Sequence, residues 1–188
     1  MIWREHSAIR GQHAFLSPSK YSWINYDNDK LAESYMRAMA AQRGVELHAW
    51  AAQTIKLNQK LPRSSKTLNM YINDAIGYRM RPEQELYYSP LCFGTADAIT
   101  FKEKSGQLRI HDLKTGLTPA HMEQLLIYSA LFCLEYGIRP GDIETELRIY
   151  QSDDVLVSNP TAEEIGPVMD RIVTFDRIIN DIRKEEQP

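Results

Sequence analysis

Two stretches, Gly94-Thr95-Ala96-Asp97-Ala98-Ile99 and Leu108-Arg109-Ile110-His111-Asp112-Leu113-Lys114, decide how this chain folds. Both alternate in character, and Glu103-Lys104-Ser105-Gly106 between them is a hairpin signal. Period-two geometry sends Asp97 to the face of Ile99 and Phe101. It sends Asp112 and Lys114 to the face of Leu108 and Ile110. An acid in line with core-facing apolar residues is costly unless it is paired or binds a cation. One arrangement that meets this demand is a buried ion pair of Asp97 or Asp112 with Lys114. The other is an oxygen site for Mg²⁺ or Mn²⁺ made by two carboxylates on adjacent strands. The Asp-x-Lys spacing sets acid and cation about 6–7 Å apart along one face, and a lysine there can orient a water or offset developing charge.

Working outward, Ser17-Pro18-Ser19 is a turn or cap ahead of Tyr21 and Trp23. Asp27-Asn28-Asp29 starts a helix that runs toward Arg43 and stops at Gly44. A second helix follows, Val45 to about Leu57, broken by Leu61-Pro62. Ser64 or Ser65 caps a third that continues through Met80 and ends at Pro82. Strands are expected at Glu85 to Leu91, Phe93 to Phe101 and Leu108 to Lys114. The segment Thr115 to Pro119 closes them, and Thr118-Pro119 opens a long apolar helix ended by Gly137. Another strand lies at Glu144 to Tyr150. Thr161-Ala162-Glu163-Glu164 is a capping box for a last helix to about Lys184. The order ααα-βββ-α-β-α predicts one α/β domain, residues 1–188, with a central mixed sheet flanked by helices. Residues 1–82 form its helical N-terminal part, 83–151 the sheet and 152–188 the C-terminal helix.

With 188 residues, 43% apolar, the chain is long enough for one substantial core. A net charge of −3 argues against coating nucleic acid by bulk charge. That average hides an asymmetry: Met1 to Lys114 holds 16 basic and 11 acidic residues, and Thr115 to Pro188 holds 6 and 14. Leu47 to Asn73 has no acid yet carries Lys56, Lys60, Arg63 and Lys66. This is either a solvated helix end and loop or a phosphate-contacting surface, with Tyr71 and Tyr78 beyond it for base stacking. Two cysteines, Cys92 and Cys133, are too few for a disulfide scaffold, a four-thiolate zinc site or an iron–sulfur cluster. No apolar run reaches the ~20 residues that cross a bilayer. The start of the chain, with Arg4, Glu5, His6 and Arg10, lacks a signal-peptide stretch. The expectation is a cytoplasmic, reducing compartment and no membrane partner.

The series Gly94-Thr95-Ala96-Asp97, Asp112-Leu113-Lys114 and Gln124-x-x-x-Tyr128 resembles the PD-(D/E)xK nucleases. More narrowly it resembles their RecB-type exonuclease branch, to which CRISPR-adaptation and phage enzymes belong. Arg43-Gly44-Val45-Glu46-Leu47-His48 matches that branch's upstream glycine and histidine, and the four motifs fall in the family's order between about Ser17 and Tyr128. The resemblance implies a restriction-endonuclease-like core and metal-dependent hydrolysis of DNA, single-stranded or end-containing, in a bacterial or phage-infected cell. It implies that His48, Asp97, Asp112 and the Leu113 carbonyl ligate Mg²⁺ or Mn²⁺ and that Lys114 positions the attacking water. Gln124 and Tyr128 would border the site, with Glu85 in support. Some members of the branch hold an iron–sulfur cluster on four cysteines. Ser17 to Trp23 and the tail after Cys133 carry none, so no cluster is expected, and Cys92 and Cys133 read as core residues. The competing functions are an endonuclease, restriction-like or junction-cutting, on the same site, or an inactive nucleic-acid-binding subunit.

Overall fold

The hairpin around Glu103-Lys104-Ser105-Gly106 forms as the alternation predicts. In the computed structural model, which describes residues 7–9, 11–116 and 118–185, β2 (Cys92–Lys102) turns through a single 3-10 turn into β3 (Gln107–Leu113). The readings made at Arg4, Glu5, His6, Arg10 and Leu117 lie outside the described residues. β1 (Arg81–Ser89), β2 and β3 pair antiparallel. α3 (Glu123–Tyr136) then returns the chain to β4 (Glu144–Gln151), which lies parallel to β3. The sheet runs β1-β2-β3-β4-β5. Its mixture of pairings follows from the connections, since only a crossover of this length can link parallel neighbours.

Each sheet face has its own cluster. On one face Leu108, Ile110, Leu147 and Ile149 pack with Leu125 and Leu131 of α3 and Ile165 of α4 (Ala162–Glu185). On the other, Leu113 and Tyr150 pack with Ala51 and Ile55 of α1 (Asn28–Lys56) and with Tyr71, Ile72 and Ala75 of α2 (Thr67–Gly77). This is an α/β fold with a five-stranded mixed sheet flanked by helices. Cys133 lies in the first cluster and Cys92 packs against it. Among the described residues no helix is long and apolar enough to cross a membrane. Within the span expected as one domain, contacts separate a unit ending at Arg43 from a unit beginning at Gly44.

Several boundaries differ from expectation. Gly44 does not stop a helix: α1 is continuous from Asn28 to Lys56. A Cβ at Gly44 would come within 2.8 Å of Thr115 Oγ1, so close approach accounts for the glycine. Prolines do not end the first two helices either. α1 closes on Asn58 (φ 53), with Gln59 N–H donating to Thr54 O, and α2 closes on Arg79 (φ 58), with Met80 N–H donating to Ala75 O. Both are Schellman turns built on a left-handed residue, as is the end of α3 at Gly137. Pro82 sits instead within the edge strand β1, where a missing N–H costs little. α3 begins at Glu123 rather than Pro119, because Gln151 holds the segment ahead of it: its amide donates to the Gly116 and Thr118 carbonyls and its oxygen accepts from Ala120 N–H. A fifth strand, β5 (Asp154–Ser158), follows β4 through Ser152 and Asp153, both at positive φ as a two-residue type I′ hairpin requires.

Candidate metal centre

β2 stops pairing with β3 after Ala98↔His111, and at that point Asp97 and Asp112 follow on the two strands. The Leu113 amide, freed from the ladder, donates to Asp97 Oδ2 at 2.8 Å. The same oxygen lies 3.3 Å from His48 Nδ1, carried on the C-terminal half of α1. On the other flank of β2, the β1 register runs through Pro82↔Ala98 and Gln84↔Ala96 but skips Glu83. Glu83 takes φ 52, a left-handed conformation that costs a non-glycine residue about 1–2 kcal/mol. Strained backbone of this kind collects at functional sites. It brings the Glu83 carboxylate to His48 and Asp97, and one ligand atom from each of the three lies within 4.8 Å of the others. They face an open cleft of about 590 Å³ that Gln53 and Lys56 also line.

Asp112 is 3% exposed and pairs with Lys114, whose Nζ donates to Oδ1 at 3.1 Å. Its Oδ2, 3.0 Å from the same ammonium, accepts no well-directed hydrogen bond. Lys114 Nζ also donates to Gln124 Oε1 at 2.9 Å. Tyr128, one helical turn on, donates to the Thr95 carbonyl at 2.7 Å. A Cβ at Gly94 would come within 3.0 Å of the Tyr128 ring, so that glycine lets the ring lie against β2.

Crowded acids and burial shift the ionisations. Burial first, then the charge on Asp97, pushes the Asp112 carboxyl up to about 6. Glu83 is raised for the same two reasons in the same order. His48 is raised, chiefly by its hydrogen bond to Asp97. Three carboxylates, Glu83, Asp97 and Asp112, thus gather beside Lys114 and His48, and Asp112 Oδ2 is buried with no well-directed hydrogen bond although the Lys114 ammonium lies 3.0 Å away. A divalent ion bound here would offset that charge. One imidazole and several carboxylates suit Mn²⁺ and, with water filling the remaining positions, Mg²⁺.

Of the residues singled out from sequence, the structure groups His48 with Asp97, and Asp112 with Lys114 and Gln124. The three-residue cluster contains Glu83 rather than Asp112. Glu85, expected in support, is exposed and pairs through its backbone with Thr95, outside that cluster. Leu113 contributes its amide to Asp97. Glu83 was missed because the strand was expected to begin at Glu85. A register count could have found it, since Glu83 and Asp97 each stand seven residues from Pro90 in the turn.

The basic stretch is divided. Lys56 lines the cleft, and Lys60 and Arg63 are exposed. Lys66 is held at 2.7 Å by Asp153, which also accepts from the Thr67 amide. The stacking expected of Tyr71 and Tyr78 is not available. Tyr71 is 2% exposed, edge-on to Tyr150, and the Tyr78 ring is covered by the Arg109 and Arg148 guanidiniums. His111 faces away from Asp112 and is fully buried, 3.2 Å from Tyr150 Oη, with its pKa pushed down to about 3 mainly by burial. Comparison with known proteins finds no matching family model, no matching curated protein and no matching solved structure.

Proposed function

We propose that this chain is a divalent-metal-dependent deoxyribonuclease with a restriction-endonuclease-like core, of the RecB-type exonuclease branch of the PD-(D/E)xK superfamily. The observation that carries the reading is the meeting of His48, Glu83 and Asp97, from α1, β1 and β2, beside a hydrogen-bonded chain from the buried Asp112 through Lys114 to Gln124 at the surface. A structural ion pair accounts for Asp112 and Lys114 alone. It does not account for a strained Glu83 turned toward His48 and Asp97.

His48, Glu83, Asp97 and Asp112 would hold Mg²⁺ or Mn²⁺, with the Leu113 carbonyl as the further ligand that the resemblance implies. Such an ion supplies Lewis acidity toward a phosphate oxygen and lowers the pKa of water. Asp112 and Gln124 fix the Lys114 ammonium from two sides, so it is ordered before substrate arrives. There it orients the water and offsets charge developing on the phosphate. Hydrolysis forms a bond from the water oxygen to phosphorus and breaks the bond to the leaving sugar oxygen, which takes up a proton. Lys56, at the cleft wall, contacts a neighbouring phosphate.

The test uses linear and covalently closed circular DNA with purified protein and Mn²⁺. Degradation of the linear form alone supports an exonuclease, nicking of the circle makes it an endonuclease, and no cleavage of either rejects the enzyme.

A further inference from the structure

The aromatic residues ahead of α1 take no part in the metal centre. Within the N-terminal unit, Phe15, Tyr21, Trp23 and Tyr35 line an open cavity of about 1030 Å³ together with Lys20 and Arg37. Among the described residues that line it there is no Asp or Glu. Tyr21 is 75% exposed and Tyr35 49%, although large rings usually leave water when a partner ring or core is within reach. Trp23, Phe15 and Tyr35 are nonetheless held in place. Trp23 Nε1 donates to the Ser17 carbonyl at 2.9 Å, across the 3-10 stretch Pro18–Asn25. Phe15 and Tyr35 meet edge to face at 5.2 Å. Arg37 pairs with Glu33 at 2.8 Å on the exposed side of α1, an arrangement that a phosphate displaces cheaply.

We propose that this cavity binds single-stranded nucleic acid, with bases stacked on the Tyr21 and Tyr35 rings and phosphates against Lys20 and Arg37. Flat exposed rings interleaved with cations are the combination that holds unpaired bases regardless of sequence. A duplex offers no free base faces to them. A lining that carries Lys20 and Arg37 and no acid repels a basic partner and attracts a polyanion. The site stands on this unit's own residues, so it holds whether or not the metal centre cleaves.

The experiment follows fluorescence anisotropy of a labelled oligo(dT) of about 20 nucleotides with the full chain in a chelator without added metal, so nothing is digested. Tyr21→Ala and Tyr35→Ala are each expected to weaken binding on the order of tenfold, whereas Tyr21→Phe, which keeps the ring, binds as the parent does. Lys20→Ala should lower the salt slope by about 0.7. Unlabelled duplex and thymidine monophosphate should compete poorly. Circular dichroism establishes that each variant is folded. The proposal is overturned if the oligonucleotide does not bind, if both alanine variants bind like the parent, or if duplex or the mononucleotide competes as well as the single strand. Oligonucleotide binding by the parent without cleavage counts against the metal centre only, and cleavage by the parent without such binding in chelator counts against this surface only.

Discussion

His48 and Asp97, 49 positions apart in sequence, meet at 3.3 Å through Nδ1 and Oδ2. In the metal-free protein that contact raises the histidine pKa, so it favours a proton where a metal requires a lone pair. A raised folded-state pKa gives stability that is present below the ordinary 6.5 and fades as pH climbs through the folded value. Metal binding has the opposite slope. Titration calorimetry with Mn²⁺ should show affinity rising from pH 6 to pH 8, with a buffer-dependent enthalpy from released protons. Mn²⁺ should bind more tightly than Mg²⁺, because imidazole suits the softer ion. Affinity independent of pH would remove His48 from the ligand set.

Asp112 bears a cost at neutral pH that a metal would relieve. Its folded value of about 6 lies above the ordinary 3.8, so the neutral form is favoured in the folded state. Without metal, this group adds stability as pH falls from about 6 to 3.8 and subtracts it above. The gap corresponds to about 3 kcal/mol. Urea unfolding at pH 8 in chelator should find Asp112→Asn more stable than the parent by up to about 3 kcal/mol, and the difference should close by pH 4. His111, pushed down to about 3, has the opposite sign and loses stability below 6.5, but it is common to both proteins and cancels. A less stable Asn variant at pH 8 contradicts this account of the site.

Glu83 separates backbone from side chain. At φ 52, Glu83→Gly relieves strain that Glu83→Ala retains, so the glycine variant should be more stable than the alanine variant by about 1 kcal/mol. Both should lose Mn²⁺ affinity, which calorimetry reads directly. Equal stabilities would show that the left-handed turn does not persist in solution.

The two ends of the basic stretch should behave differently. Lys56→Ala is expected to weaken DNA binding and lower its salt slope by about 0.7–0.9. Lys66→Ala should have the smaller effect on both, since Asp153, itself anchored by the Thr67 amide and hydroxyl, holds that ammonium. Salt titrations of binding, with metal withheld, distinguish the two.

Local rules carried the reading furthest. The β2–β3 hairpin, α3, β4 and the capping box at Thr161, whose amide meets Glu164 Oε2 at 2.8 Å, follow from period and turn chemistry. So does the side-by-side placement of Asp112 and Lys114. Helix ends were less legible because Asn58 and Arg79 take left-handed conformations that glycine usually marks. β5 escaped because Ser152-Asp153 makes a type I′ turn without glycine. Glu83 depends on register across a turn, and the covering of Tyr71 and Tyr78 and the pairing of Lys66 depend on Tyr150, Arg109, Arg148 and Asp153, all brought from later in the chain. Such pairings have no local signature.

The most direct measurement is cleavage of end-labelled single- and double-stranded DNA by the parent, Asp112→Asn and Lys114→Ala proteins, with Mn²⁺, with Mg²⁺ and in chelator. The account predicts metal-dependent release of labelled nucleotides by the parent and none by either folded variant. Metal-dependent cleavage by a variant at the parental rate, or none by the parent with either ion, would contradict it.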